Sequence, residues 1–260
     1  MDKQKAVVCG CCRSIEKNAR LVLSDMHRIG KLFSSYIIII YENDSIDRTL
    51  AILKSDKSKN VIVITEQNVP GNRATRLAHG RNAILKTVMK QYSHFDWMIV
   101  MDMDYTESIP IKGIKKAIDS HKTIKWSGCT ATSSKYYDYW ALRYASVGLT
   151  SDCWQHNKIL FIPWDLWQPT QEITKVGSAF NGLAIYVIQD IIKKECVYKG
   201  NTCEHVAFNE CLGNIIIHRN LISTCWNETA FARRIIALRL LLFPVIIAIL
   251  WISVSNRFRT

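Results

Sequence analysis

The sequence contains few glycines and prolines, with 11 and 5 in 260 residues. Collagen-like chains and disordered chains rich in these residues need far more of both, so those classes are excluded. It also has no internal repeat and no low-complexity tract. Hydrophobic residues make up 48% and charged residues 22%, which is typical of a globular protein long enough to bury a sizeable core.

The nine cysteines follow no regular spacing, and their number is odd. This argues against a disulfide scaffold. The group Cys9, Cys11 and Cys12 lacks a second Cys/His pair at the spacing of a zinc site. We therefore expect reduced thiols in a domain that faces the cytosol.

Acidic residues are in the minority, because 34 Lys and Arg against 22 Asp and Glu give a net charge of +12. Such an excess could favour nucleic acid, anionic lipid or a substrate that carries phosphate. The basic residues are scattered and no RNA- or DNA-binding signature accompanies them, so we expect no nucleic-acid partner. For most of them a solvated, lysine-rich surface is the simpler interpretation.

Long hydrophobic runs are confined to the C-terminal end, since the N-terminal run is far too short for a signal peptide. Residues 235–254 are mostly apolar, interrupted by Arg239 and Pro244, and a spanning helix needs roughly 20 apolar residues. We expect a membrane-associated helix that spans the bilayer or lies on it. A buried terminal helix is the alternative. The predicted division is a catalytic domain at 1–230 and a hydrophobic helix with a basic tail at 231–260.

Up to residue 105, short apolar runs alternate with helical patterns. Strands are predicted at 6–10, 36–42, 61–65 and 97–101, and helices at 15–29, from 44 onwards and at 73–90. This alternation is typical of a parallel sheet covered by helices. Ligands of such sheets bind outside the carboxyl ends of the strands. The polar clusters CCRS, ENDSID, TEQN and DMDY all lie at those ends.

Two aspartates, Asp102 and Asp104, directly follow the fourth predicted strand. In an extended segment, residues i and i+2 point to the same side, so the two carboxylates converge while Met103 turns towards the protein. Two close anions need a cation or strong donors between them. Oxygen ligands suit Mg²⁺ or Mn²⁺. A pair of helix-capping aspartates is the alternative.

Asp44 follows the second predicted strand, where an acidic residue can accept hydrogen bonds from a nucleotide base or ribose. Helix capping is the alternative for Asp44 and the preferred role for Ser45 and Asp47. Further along, Gly182 permits a close approach of the backbone to a ligand, with a plain bulge as the alternative.

Six segments occur in a characteristic order: YENDSIDRTLAIL, RLAHGRNAIL, MDMDY, YYDYWALR, GSAFNGLAIY and CEHVAFNECL. Together they resemble the GT-A nucleotide-sugar glycosyltransferases, most closely the group of cryptococcal-type α-mannosyltransferases with related viral and bacterial sequences. The resemblance covers residues 5–226. It implies a Rossmann-like α/β fold with a mixed, mainly parallel sheet and flanking helices, to which this chain adds its C-terminal hydrophobic helix.

The resemblance also implies an activity, the transfer of a hexose such as mannose from a nucleoside-diphosphate sugar to a hydroxyl acceptor. The acceptor would be a glycan, a lipid-linked sugar or a protein. Asp102 and Asp104 would hold Mn²⁺ or Mg²⁺. The implied contacts to the nucleotide or its diphosphate are Arg13, Asp44, Arg76, Arg81 and Asp102, with Asn82 in the same segment. For Arg81 an ion pair on the helix surface is an equal alternative.

The acceptor side is assigned by the same resemblance. Glu204 would take the proton from the acceptor hydroxyl in inverting relatives, or orient the acceptor in retaining ones; Asp104 is the second candidate catalytic residue. His205 or His218 could complete the metal shell, although a buried structural imidazole is preferred for His218. Thr202 could cap the predicted helix of Glu204. Asp138 and Trp140 could contact a sugar, with core packing as the alternative.

Two other functions compete. A sugar-1-phosphate nucleotidyltransferase usually carries a glycine-rich phosphate loop with a lysine, whereas CGCCRS has one glycine and no lysine. A non-catalytic, membrane-associated protein with this fold would not need Asp102, Asp104 and Glu204 together. Asn43 lies in an N-glycosylation tripeptide inside the proposed nucleotide loop, which favours a catalytic domain that faces the cytosol.

Overall fold

The structure, a computed structural model, describes residues 3–105, 108–133, 136–152 and 171–223. One compact unit comprises Met1–Cys225, and the second, Trp226–Thr260, lies wholly outside the described residues. The predicted hydrophobic segment 235–254 and the predicted boundary at residue 230 therefore stay predictions. Within the four described ranges, no helix combines the length and apolar character needed to cross a membrane.

The described chain alternates strands and helices. The strands are β1 (Lys5–Cys12), β2 (Ser35–Asn43), β3 (Val61–Glu66), β4 (Trp97–Met101), β5 (Gly128–Thr132), β6 (Ile173–Val176), β7 (Leu183–Val187) and β8 (Ile215–Ile222). The α-helices are α1 (Glu16–Gly30), α2 (Thr49–Lys54), α3 (Arg73–Gln91), α4 (Ile111–Ser120), α5 (Ile188–Lys194) and α6 (Glu204–Leu212), with a short 3-10 helix at Ala145–Val147.

The strands form one sheet in the order β3-β2-β1-β4-β7-β5-β8-β6. The first four pair in parallel. β7 then lies antiparallel between β4 and β5, β8 is parallel to β5, and β6 closes the edge antiparallel to β8. The result is the mixed, mainly parallel sheet with flanking helices that was predicted. It brings the carboxyl ends of β1, β2 and β4 to one edge.

Burial on both faces of the sheet explains the unbroken apolar runs. Alternate residues of β1 and β2 point to opposite faces, so Val8 and Ile38 join one core and Val7 and Ile39 the other. The first core is covered by α1 and α4, and the second by α3 and α6. Residues from both halves of the described chain share each of these two cores.

The start of one helix and the cap of another differ from prediction. The second helix begins at Thr49, because residues 44–48 form a loop in which Asp44 has a φ of 53°. Asp47 accepts hydrogen bonds from the N–H groups of Thr49 (3.0 Å) and Glu16 (3.1 Å), so it joins this loop to α1. Thr202 does not cap α6; its hydroxyl donates to Asp152 at 2.8 Å.

The expectation that the thiols are reduced is wrong for one pair, since Cys196 and Cys211 form a disulfide between the segment after α5 and the end of α6. The fold brings their Cα atoms to 5.7 Å, within the range that a disulfide spans. Five other cysteines in the described ranges are free: Cys9, Cys11, Cys12, Cys129 and Cys203.

Candidate active site

A cleft of about 140 Å³ lies at the carboxyl ends of β1 and β4, beside the N-terminal turn of α3. Its charged lining comprises two carboxylates and three guanidinium groups: Asp102, Asp104, Arg13, Arg73 and Arg76. The remaining lining residues are Cys11, Cys12, Ile15, Asn43, Leu77 and Met103. The structure thus brings four predicted site residues into one cleft and adds Arg73 to them.

The two aspartates are held by the ends of β4 and β7. The N–H of Asp102 donates to the carbonyl of Gly182 at 2.9 Å, and Gly182 has a φ of 82°, in the left-handed region that favours glycine. Met103 is 2% exposed, whereas Asp102 on one side of it is partly exposed and Asp104 on the other side is exposed. The predicted alternation of side chains across this segment is therefore confirmed.

The segment after Asp104 is tied to α1. The side-chain amide of Asn18 donates to the carbonyl of Asp104 at 3.3 Å. The buried carboxylate of Asp25 accepts the N–H of Ile109 at 2.8 Å and the hydroxyl of Tyr105 at 3.3 Å. These bonds hold the chain on both sides of residues 106–107, so the position of Asp104 depends on α1.

One of the two carboxyl groups in the cleft has a raised pKa. Burial, and then the neighbouring Asp104 carboxylate, raises the pKa of Asp102 to about 7, with Arg81 acting in the opposite direction. Within the described ranges, no group of three or more His, Cys, Asp or Glu side chains is arranged to hold a metal ion. Asp102 and Asp104 nevertheless fit Mg²⁺ or Mn²⁺, which proteins often bind through one or two carboxylates while substrate phosphates and water complete the shell.

Arg81 does not line this cleft. It projects from α3 into the protein, where 4% of its side chain is exposed, and its Nε donates to Glu204 Oε1 at 3.0 Å. Its Nη2 lies 3.5 Å from Asp102 Oδ1. Burial opposes the charge on Arg81, but Glu204 and Asp102 outweigh it and raise the pKa of the guanidinium above its ordinary value. The predicted contact of Arg81 to a diphosphate has no counterpart in this geometry.

Glu204 and His205 begin α6, as predicted, and both are buried. The His205 ring stacks on Phe180 with 3.6 Å between centroids, and neither ring nitrogen has a hydrogen-bond partner. Burial, followed by the charge of Arg81, lowers the pKa of His205 well below its ordinary value. The structure does not place His205 in a ligand set with the two aspartates, so a metal role stays a prediction, as does the role of Glu204 as a base.

Asp44 is occupied by its own loop. Its carboxylate accepts the N–H groups of Asn68 (2.5 Å) and Val69 (3.4 Å) and the side-chain amide of Asn43 (2.8 Å). The hydrogen bond from Asn43 is the main cause of the lowered pKa of Asp44. A contact from Asp44 to a nucleoside stays a prediction, and Asn43 is the residue of this pair that lines the cleft.

The segment of Asp138 is organised by Asn181, which sequence reasoning missed. Asn181 has a φ of 53°; its side-chain oxygen accepts the N–H of Tyr137 at 3.2 Å, and its own N–H donates to Asp138 at 3.1 Å. Burial raises the pKa of Asp138 to about 6. The Trp140 indole donates to Asp152 at 3.1 Å. Contacts from Asp138 and Trp140 to a sugar stay predictions.

His218 lies on β8 and is buried. Its Nδ1 accepts the N–H of Asn220 at 3.1 Å, and its Nε2 is 4.0 Å from Glu172 Oε1. This environment agrees with the structural role preferred for it from the sequence.

No protein-family model and no curated protein sequence matches the chain. Solved structures do match. The mannosyltransferase PcManGT from Pyrobaculum calidifontis, in complex with GDP-Man and Mn²⁺, has a TM-score of 0.59 at 11% identity, over 90% of this chain and 60% of that one. Glucosyl-3-phosphoglycerate synthase from Mycobacterium tuberculosis, with UDP, has a TM-score of 0.52 at 10% identity, over 88% and 74%.

A third match is S. aureus TarS 1-349 in complex with UDP-GlcNAc, with a TM-score of 0.51 at 14% identity, over 82% of this chain and 56% of that one. The chain therefore spans less than two thirds of TarS 1-349 and of PcManGT. At these identities the likeness shows the fold, which is the GT-A fold. A closer relationship to the cryptococcal-type group stays a prediction.

Proposed function

We propose that the protein is a metal-dependent glycosyltransferase that moves a hexose from a nucleoside-diphosphate sugar to a hydroxyl acceptor. The observation that carries this proposal is the cleft in which Asp102 and Asp104 meet Arg13, Arg73 and Arg76 at the ends of parallel strands. Solved structures with the same fold contain GDP-Man with Mn²⁺ and UDP-GlcNAc, which supports a donor of this chemical class.

The three cleft arginines are proposed to bind the diphosphate. A guanidinium is planar and permanently charged, so it matches phosphate oxygens with paired hydrogen bonds. Arg73 and Arg76 lie in the first turn of α3, where the helix dipole also favours an anion. Asn43, at the end of β2, is proposed to contact the nucleoside.

Asp102 and Asp104 are the residues that would hold the metal, and a bound Mn²⁺ or Mg²⁺ would offset the charge that develops on the leaving diphosphate. Hydrogen bonds hold the backbone on which both carboxylates are mounted. The N–H of Asp102 donates to the carbonyl of Gly182, and the carbonyl of Asp104 accepts the side-chain amide of Asn18. Burial is the main cause of the raised pKa of Asp102, and the neighbouring Asp104 carboxylate adds to it; a cation between the two carboxylates would relieve this second contribution.

Glu204 is the proposed catalytic carboxylate of the acceptor side, where it would accept the hydroxyl proton. Its Oε1 accepts the hydrogen bond from Arg81. Its Oε2 has the Cys203 thiol 4.0 Å away and is the oxygen proposed to receive the proton. Because Glu204 is 3% exposed, this role requires the acceptor to open a path to it.

Four finer proposals have less support. A mannose donor is supported by the likeness to a structure that contains GDP-Man and by the order of the sequence motifs. A glycan or lipid-linked acceptor, membrane attachment through residues 235–254 and a catalytic domain that faces the cytosol rest on the sequence alone.

The test is to incubate the full chain with Mn²⁺ and a panel of UDP- and GDP-sugars, and to measure release of the nucleoside diphosphate with and without EDTA. We expect release with one donor class only, and a loss on the order of 1,000-fold in Asp102→Ala/Asp104→Ala. Asp119→Asn, on the exposed side of α4, is the matched control and should keep the activity. Equal release by the double variant, or none with any donor, would contradict the proposal.

A further inference from the structure

A buried ion network adjoins the cleft. It joins the carboxylate proposed to act on the acceptor to one of the carboxylates proposed to hold the metal. Arg81 of α3 lies between Glu204, the first residue of α6, and Asp102, which follows β4. One guanidinium therefore contacts a carboxylate on the acceptor side at 3.0 Å and a carboxylate on the metal side at 3.5 Å. The donor binding proposed above uses other arginines and leaves Arg81 without a role.

We infer that Arg81 is a positioning residue that couples Glu204 to Asp102 and does not bind the donor. This inference rests on the proposed function, because it takes Asp102 as the metal side and Glu204 as the acceptor side of the reaction. Arg81 would fix the spacing between the two carboxylates, so that the acceptor hydroxyl and the donor meet in the geometry that the transfer requires.

The surroundings of Arg81 hold it in place. Its guanidinium carbon lies 5.1 Å from the centre of the Phe180 ring and 5.9 Å from that of Tyr198, distances at which a cation is attracted by an aromatic face. The His205 ring stacks on the same Phe180. These rings leave the guanidinium little freedom to swing towards the cleft, so a donor phosphate would not reach it without rearrangement of the core.

The charge balance points to the same role. A buried guanidinium is costly unless carboxylates are paired with it, and Glu204 is buried to the same extent as Arg81. Asp102 differs, because 35% of its side chain is exposed and it faces the cleft. Arg81 therefore neutralises the buried carboxylate of Glu204 and contacts Asp102 from the protein interior. The exposed side of Asp102 remains available to a ligand in the cleft.

The test compares Arg81→Gln with Arg76→Gln, which removes a guanidinium from the cleft on the same helix. For each variant, binding of UDP and GDP with Mn²⁺ is measured by calorimetry, and transfer is measured as separate kcat and KM values. We expect Arg81→Gln to lower kcat on the order of 100-fold, as expected when reacting groups are misplaced by about 1 Å, with diphosphate affinity unchanged. Arg76→Gln should raise KM and weaken diphosphate binding roughly tenfold, with little change in kcat.

Two further variants keep the test decisive if Arg81→Gln does not fold. Arg81→Met/Glu204→Met replaces the buried pair by apolar side chains, a change that proteins often tolerate. It should bind the diphosphate like the wild type and lack transfer. Arg81→Lys keeps the positive charge but lacks the planar set of paired donors of a guanidinium. We expect it to retain roughly a tenth of the wild-type kcat at an unchanged KM for the donor.

The outcomes separate the two proposals. If the wild type binds and transfers while the Arg81 variants lose diphosphate affinity as Arg76→Gln does, Arg81 is a donor ligand and the coupling is overturned. Unchanged kcat in Arg81→Gln also overturns it. If the wild type binds no nucleoside diphosphate, the proposed function fails, and the inference fails with it.

Discussion

Arg76 and Arg81 project from the same helix, yet the fold gives them opposite environments. Arg76 lines the cleft, and its Nη1 donates to the carbonyl of Gly71 in the neighbouring loop at 2.7 Å. Arg81 is buried and bonded to Glu204, 123 residues further along the chain. An arginine at the edge of a site thus stays available for a ligand, whereas a buried arginine has to be neutralised by carboxylates of the protein itself.

The largest expected difference between the two arginines is in stability. Arg81→Ala leaves Glu204 buried without its cation, which typically costs roughly 3–5 kcal/mol. Arg76→Ala removes one bond at the surface and should change the free energy of unfolding by no more than about 0.5 kcal/mol. Urea unfolding of the disulfide-intact protein measures both values. If both substitutions changed the free energy of unfolding by the same amount, the difference in burial between the two arginines would not contribute to stability.

The cleft arginines should show the reverse pattern in ligand affinity. Arg13→Gln, Arg73→Gln and Arg76→Gln each remove a charged donor, and each should weaken nucleoside-diphosphate binding roughly tenfold while leaving the unfolding curve unchanged. Calorimetric titration at constant ionic strength provides the measurement. Lys122→Gln, at the end of α4 outside the cleft, is a control for net charge. If it weakens binding as much as the cleft variants do, the effect reflects overall charge and not a site.

A smaller expected effect is the dependence of stability on pH that arises from His205, which packs beside Arg81. Burial and Arg81 lower the pKa of His205 in the folded protein. As the pH falls, His205 is therefore protonated in the unfolded chain before it is protonated in the folded one. His205 therefore adds stability above the unfolded pKa of about 6.5, and this contribution is lost as the pH falls below that value, by at most about 1.4 kcal/mol per pH unit.

His205→Gln should flatten the decline in stability between about pH 6.5 and pH 5. The measurement is the free energy of urea unfolding across this range, and replacing the exposed His94 by Gln is the control. A slope that stays the same in His205→Gln would mean that the imidazole is not held neutral in the folded state.

The parallel half of the sheet follows from local sequence. The strands β1 to β4 are short apolar runs, of which β1, β2 and β4 are buried on both faces and the edge strand β3 is partly buried. Because α3 also carries an apolar stripe over its whole length, period and composition identify these elements. The start of α2 could not be found in this way. The loop from Asp44 to Arg48 is fixed by hydrogen bonds to other elements, such as the one that the N–H of Glu16 donates to the carboxylate of Asp47.

The sheet order is a property of distant contacts. Nothing within LAIYV indicates that β7 lies antiparallel between β4 and β5. This insertion places Gly182 beside Asp102. The disulfide between Cys196 and Cys211 is similar, because two cysteines with a separation of 15 carry no signal until the fold brings them together.

For the candidate site, the sequence predicted the location of residues that follow a strand directly, but it did not predict the contacts of a side chain that crosses the core. Asp102, Asp104 and Arg13 were found because they lie at strand ends. Arg73 was passed over as an ordinary first residue of a helix. Arg81 was assigned to the donor because its pairing with Glu204 depends on how α3 and α6 pack, which the sequence pattern does not contain.

The central claim is that the cleft of Asp102, Asp104, Arg13, Arg73 and Arg76 binds a nucleoside diphosphate together with a divalent metal. The most direct measurement is calorimetric titration of the full chain with UDP and GDP, each with Mn²⁺ and with EDTA, for the wild type and for Asp102→Asn/Asp104→Asn. We predict binding of one of the two nucleotides that requires Mn²⁺ and is lost in the double variant. The claim would be contradicted if neither nucleotide bound, or if binding were the same without Mn²⁺ and in the double variant.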